Sequence, residues 1–78
     1  MTTIYVLFGD YYRMNKTTRG YDIVDASIFG GVYTDEKMAK DAAKCWQQQF
    51  SGIESLRVNI RRMSETAGMF HSTGNVEF

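Results

Sequence analysis

The chain opens on a run with no polar break. Ile4-Tyr5-Val6-Leu7-Phe8 is β-branched, aromatic and aliphatic throughout, which suits a pleated strand buried on both sides. Such a strand belongs in the middle of a sheet. Gly9 and Asp10 close it. Residues 11–20 carry Arg13, Asn15, Lys16, Thr17, Thr18 and Arg19 with no sustained period, so they read as a loop. The loop is long for a hairpin connection, which marks it as a candidate contact surface.

Residues 21–29 alternate imperfectly. One face carries Tyr21, Ile23, Asp25, Ser27 and Phe29, the other Asp22, Val24, Ala26 and Ile28. Neither is cleanly apolar, as expected of an edge strand. Gly30-Gly31 then supplies a bulge or tight bend, because glycine takes positive φ freely. From there the period changes. Met38, Ala39, Ala42, Ala43, Trp46 and Phe50 recur at three- and four-residue spacing and predict an amphipathic helix over residues 35–50. Thr34 stands at the N-cap, with Asp35 and Glu36 in the first turn. The alanines permit close approach to a sheet, Trp46 fills the wider end, and Gly52 is placed to cap the C-terminus. Leu56-Arg57-Val58-Asn59-Ile60-Arg61 alternates strictly and predicts a half-buried strand. Residues 64–78 hold a short strand or hairpin around 68–72, or stay partly disordered until they meet something.

These elements predict an α+β fold: a β-β-α-β two-layer sandwich spanning residues 1–63, with 64–78 as a tail. A right-handed crossover gives a three-stranded antiparallel sheet in the order 2-1-3, with one helix on one face. If Ile4, Val6 and Phe8 pack on the helix, Tyr5 and Leu7 point to the uncovered side beside Arg57, Asn59 and Arg61. Tyr and Arg are enriched at interfaces. The expected partner-binding set is therefore Tyr5, Leu7, Tyr11, Tyr12, Arg13, Arg57, Asn59 and Arg61. The competing expectations are that the tail folds over that face, or that Leu7 is simply exposed.

Composition narrows the function classes. The chain has 78 residues, and a domain of that size buries only roughly 60% of its unfolded surface. Nine basic and nine acidic residues cancel, so no net field steers it toward nucleic acid or membrane. The single cysteine, Cys45, leaves no internal disulfide and suggests a reducing compartment, the cytoplasm. No apolar run approaches the roughly 18 residues of a membrane span, and the N-terminus lacks a signal-peptide layout. Proline is absent, so no stiff linker divides the chain.

Little of the chain carries chemistry. His71, the one histidine, sits in the polar tail without an orienting partner. Cys45 reads as helix packing, and no four-ligand Cys/His set exists for zinc. Asp10, Asp22 and Asp25 would converge in a hairpin and could hold Mg²⁺, although loop ends and solvated faces account for them more simply. Gly30-Gly31 lacks the flanks of a phosphate loop. The expectation is a chain with no cofactor and no metal that is not an enzyme. A metabolite pocket, if there were one, would lie between Tyr33 and Trp46. Arg13, Lys16, Arg19, Arg57, Arg61 and Arg62 with Tyr5, Tyr11 and Tyr12 sketch an aromatic-basic face that could stack single-stranded bases. Zero net charge and the lack of an RNP sequence weigh against it.

The segment Gly31-Val32-Tyr33-Thr34-Asp35-Glu36-Lys37-Met38-Ala39, following an apolar first strand, resembles small stand-alone β-β-α-β domains of bacteria and phages. The resemblance is one of layout over residues 3–63. It implies a phage-type accessory protein that binds and inhibits or modulates a host protein, anti-defence factors included. The leading expectation is a cytoplasmic protein-interaction module. A homodimer through the uncovered sheet face is a second way to hide that surface.

Overall fold

The computed structural model describes residues 2–78. It contains β1 (Thr3–Met14), β2 (Tyr21–Tyr33), α1 (Glu36–Gln48), β3 (Glu54–Thr66) and β4 (Met69–Val76). The strands form one sheet in the order β2-β1-β3-β4, antiparallel at every step. The α+β class, the order 2-1-3 and the central place of β1 all stand as the sequence predicts. The tail supplies the fourth strand, and Val76 closes the core from it. Since β4 extends the sheet sideways from β3, it leaves the second face uncovered.

The strands are longer than their apolar segments. Residues 11–20 form no long loop: β1 continues to Met14 and β2 begins at Tyr21. A compact turn joins them, built around Asn15. Its N–H donates to Gly20 O at 2.8 Å, its Oδ1 accepts from Thr17 N–H at 2.9 Å, and its Nδ2 donates to Asp22 Oδ2 at 2.9 Å. At the other tip, Ala67 (φ 52°) and Gly68 (φ 78°) are consecutive left-handed residues between the paired Thr66 and Met69. That is the signature of a two-residue type I′ hairpin.

Helix α1 starts one residue later than the composition suggests. Asp35, not Thr34, is the N-cap, its carboxylate accepting from Met38 N–H at 3.2 Å. Gln49 occupies the C-cap, and Gly52 (φ 70°) belongs to the turn before β3. Glu36 and Lys40 pair at 3.7 Å along the exposed side. A 13-residue helix spans about 20 Å, whereas a 13-residue strand reaches about 40 Å. The helix thus covers only the middle of the sheet. The molecule measures 50 × 20 × 16 Å, with its two hairpin tips at opposite ends.

The side of β1 that meets the helix is the main departure from expectation. Leu7 lies opposite Ile60, Gly9 opposite Val58 and Tyr11 opposite Leu56, and residues directly opposite share a face. Leu7, Leu56, Val58, Ile60 and Val76 form the core with Ala39 and Ala43, and Tyr5, Tyr11, Tyr33, Trp46 and Phe50 pack against it. Ile4, Val6 and Phe8 therefore lie on the open face. The physical reason is Trp46. A Cβ built on Gly9 would stand 2.7 Å from its Cη2. One built on Gly30 would stand 2.8 Å from its Cε3. The indole needs two side-chain-free positions beneath it, and Gly9 shares its face with Tyr5, Leu7 and Tyr11. Gly30 is the extra residue of the bulge between Leu7↔Gly31 and Phe8↔Phe29.

Candidate interaction surface

The face of the sheet turned away from α1 is assembled from alternate residues of three strands. Val6 stands between Val32 and Arg61, Phe8 between Phe29 and Asn59, and Tyr12 between Ile23 and Ser55; Ile4 lies opposite Met63 and Asp10 opposite Arg57. Its centre is aromatic. The Arg61 guanidinium carbon lies 5.0 Å from the centroid of the Phe8 ring, within cation–π range. Phe29 meets the same ring edge-on, centroids 6.4 Å apart and planes inclined by 67°, a favourable pairing. Phe8 is half-buried by this cover, while Phe29 is 64% exposed, Ile23 56% and Val32 50%. Side chains this apolar and open, contiguous across β1 and β2, mark an interaction surface better than scattered exposed residues do.

Beside Phe8 the face is hollowed. Asp10, Ser27, Asn59, Arg61 and Asn75 line the depression with Phe8. Ser27 has φ 55°, a left-handed conformation that costs a non-glycine residue about 1 kcal/mol or more. Asp10 holds it there, accepting from Ser27 N–H at 2.9 Å through Oδ1. The result is a polar notch with one carboxylate and one guanidinium at the edge of an apolar patch.

The residues expected to bind a partner divide between the two faces. Tyr12, Arg57, Asn59 and Arg61 share the open face. Tyr5 and Leu7 do not: Leu7 is 1% exposed beneath the helix, and Tyr5 packs against the same core. The face assigned to both is corrected: Leu7 is enclosed and has no free surface to offer, and Tyr5, partly buried, lies on the helix side. Tyr11 is also on the helix side, its ring 5.5 Å from that of Phe50. Its hydroxyl donates to Glu54 Oε1 at 2.9 Å. This bond raises the Tyr11 pKa above the usual phenol range, with desolvation and the Glu54 charge adding to it. Arg13 stands 3.9 Å from the same carboxylate. Tyr11, Glu54 and Arg13 thus form a small cluster on the helix side, removed from the open patch. The sequence reading missed Phe8, Val6, Phe29 and Val32 as open-face residues. Gly9 and Gly30 carried the clue, as the only seats for Trp46.

The remaining candidates resolve into local structure. Asp10 serves Ser27, Asp22 accepts from Asn15, and Asp25 accepts from Ala26 N–H at 2.9 Å. No three metal-ligating side chains cluster among the described residues. An open cleft lies between α1 and β2, lined by Phe29, Gly30, Tyr33, Cys45 and Trp46. Cys45 is exposed there, and His71 is exposed on β4 opposite Ser64. Among the described residues, no helix is long and apolar enough to cross a membrane. No family model matches the chain, and neither a curated protein nor a solved structure matches it.

Proposed function

We propose that this chain is a cytosolic protein-interaction module that binds by occupying a partner's surface with its open sheet face. The observation that carries the reading is the contiguous patch of Phe8, Phe29 and Val32 with Arg61 stacked on Phe8, left bare by a helix that covers only the other side. Aromatic and arginine side chains in a partly desolvated centre are what interface hot spots are made of. The Asp10–Ser27 notch beside them supplies polar groups that fix register. The unpaired Cys45 suits a reducing compartment. The layout resemblance to phage accessory domains suits a host protein as the partner, whose activity such binding would block or modulate.

The test compares wild type with Phe29→Ser and Arg61→Glu in affinity capture from host lysate, each variant's melting temperature being measured alongside. Capture of a defined partner should fall at least tenfold in both variants, with melting close to wild type. Equal capture by all three proteins would remove this face from the interface. Random single-stranded oligonucleotides at about 50 mM salt probe the nucleic-acid alternative, for which Arg57 and Arg61 on one face are the favouring observation. Retention that falls steeply with salt would replace the protein partner with a nucleic acid.

A further inference from the structure

We infer that the outer edge of β4 is a self-pairing surface, joining two copies of this chain through an antiparallel β4–β4 ladder centred on His71.

The direction of the free backbone groups follows from alternation. Val58 N–H donates to the Gln47 side chain at 2.9 Å, and Arg62 O accepts from Thr73 Oγ1 at 3.2 Å. Even-numbered β3 residues therefore turn their backbone groups away from β1. Glu65 N–H, an odd position, donates to Thr2 O on the β1 side at 2.8 Å, as the alternation requires. Ser64 and Thr66 thus face β4, where they pair with His71 and Met69. In consequence Phe70 and Ser72 turn their N–H and C=O groups outward, with no strand beyond them among the described residues.

An open edge of this kind is a template for another strand unless it is guarded by charge, proline or bulges. The two edges of the sheet differ sharply in that respect. Along β2 the register shifts three times, Ser27 and Gly31 have positive φ, and Asp22 and Asp25 put like charges on the strand. By contrast, Met69–Val76 contains no charged residue and no proline. Its one irregularity is a bulge in β4 itself, with Thr73 as the extra residue between Arg62↔Gly74 and Met63↔Ser72 and Gly74 at φ 121°, and it lies beyond Ser72. The stretch from Met69 to Ser72 is an unguarded edge.

A second copy is the occupant that fits, because one two-fold register satisfies both outward residues at once. Centring the axis on His71 sets Phe70 against Ser72 of the other copy and Ser72 against its Phe70. All four N–H and C=O pairs then close, and no Asp, Glu, Lys or Arg of either strand faces the axis. Axes through Phe70 or Ser72 would leave one of the two residues facing the hairpin turn or the Gly74 bulge. The chosen register continues each open face into its neighbour, with Phe70 and Ser72 at the seam.

The experiment combines mass with cross-linking. Light scattering on the wild-type chain should show mass rising toward twice 9.0 kDa as concentration approaches about 1 mM. Ser72→Pro removes an outward N–H while sparing the β3 ladder, and should hold the chain monomeric with its circular dichroism intact. In a Cys45→Ser background, His71→Cys should form a symmetric disulfide on mild oxidation. Directly opposite residues in a non-hydrogen-bonded pair lie about 4.5 Å apart at Cα, within disulfide reach. Ser72→Cys in the same background faces Phe70 and should not cross-link. A chain that stays monomeric throughout overturns the inference and leaves the edge to a strand of another protein. Equal cross-linking at both positions overturns the register, and a Ser72→Pro dimer places self-association elsewhere.

Discussion

Val6 and Leu7 are adjacent in the chain and both are buried, at 5% and 1% exposure, but by different means. Leu7 has a layer above it. It meets Ile60 across the ladder, and Ala39 and Ala43 bring the helix backbone close. Val6 has no layer. On the open face it is shielded by the side chains beside it, Val32 and Arg61 among its neighbours. The covered side of β1 is thus stabilised by interlocking packing between two elements, and the open side by a cover of long side chains lying on the sheet. Packing between layers is stiff and intolerant of volume change. A side-chain cover can be rearranged or displaced, and a surface that receives a partner has to allow that.

The contrast breaks most clearly under truncation. Leu7→Ala should destabilise the fold by about 3 kcal/mol in denaturant titration, because the cavity beneath α1 cannot collapse onto a rigid helix. Arg61→Ala on the other side should cost less than about 1 kcal/mol, the scale of an exposed cation–π contact. Similar losses at the two positions would mean that the open face is packed as tightly as the core. Next in size is Gly9→Ala, which drives a methyl against Trp46 and Leu56. A cost of about 1–3 kcal/mol is expected from overpacking. Trp46→Leu in the same chain should recover part of it, and strict additivity of the two changes would show that the indole does not seat on Gly9.

The smallest effect is an alkaline one on the covered side. The folded state raises the Tyr11 pKa through its bond to Glu54. Its stabilising contribution is therefore complete below the unfolded phenol value of about 10 and is lost as pH rises through the higher folded value. Tyr11→Phe should melt with a shallower decline above that pH than wild type. Parallel declines would show that the Tyr11–Glu54 bond does not persist in solution.

Most of the architecture was legible in the chain. The unbroken β1 run predicted an interior strand, the Ala39, Ala42, Ala43 and Trp46 stripe predicted the helix, and the Leu56–Arg61 alternation predicted the face of β3. What periodicity left undetermined was which side of β1 the helix meets, since Tyr5 and Leu7 are as apolar as Val6 and Phe8. A strand apolar on both faces carries no parity signal of its own. The signal lay in a missing side chain, Gly9, whose meaning appears only once Trp46 stands above it. The hairpin extension was hidden for another reason. Arg13, Asn15 and Asp22 look like loop residues, yet beyond the end of the helix both faces of β1 and β2 are wet and polar side chains are at no disadvantage there. The candidate surface was half legible: of the residues expected on it, Tyr12, Arg57, Asn59 and Arg61 lie on the open face, whereas Phe8 was assigned to the wrong side.

The seat of Trp46 on Gly9 and Gly30 has an optical consequence. It is the chain's one tryptophan, and its ring rests against the sheet on the helix side, away from Phe8 and Arg61. Its emission therefore reports whether the helix is docked and is nearly blind to what happens on the opposite face. The five tyrosines are divided, with Tyr12 on the open face, Tyr5, Tyr11 and Tyr33 against the core, and Tyr21 exposed near the hairpin tip. Fluorescence excited at the red edge of absorption, where indole alone responds, follows the two layers coming apart.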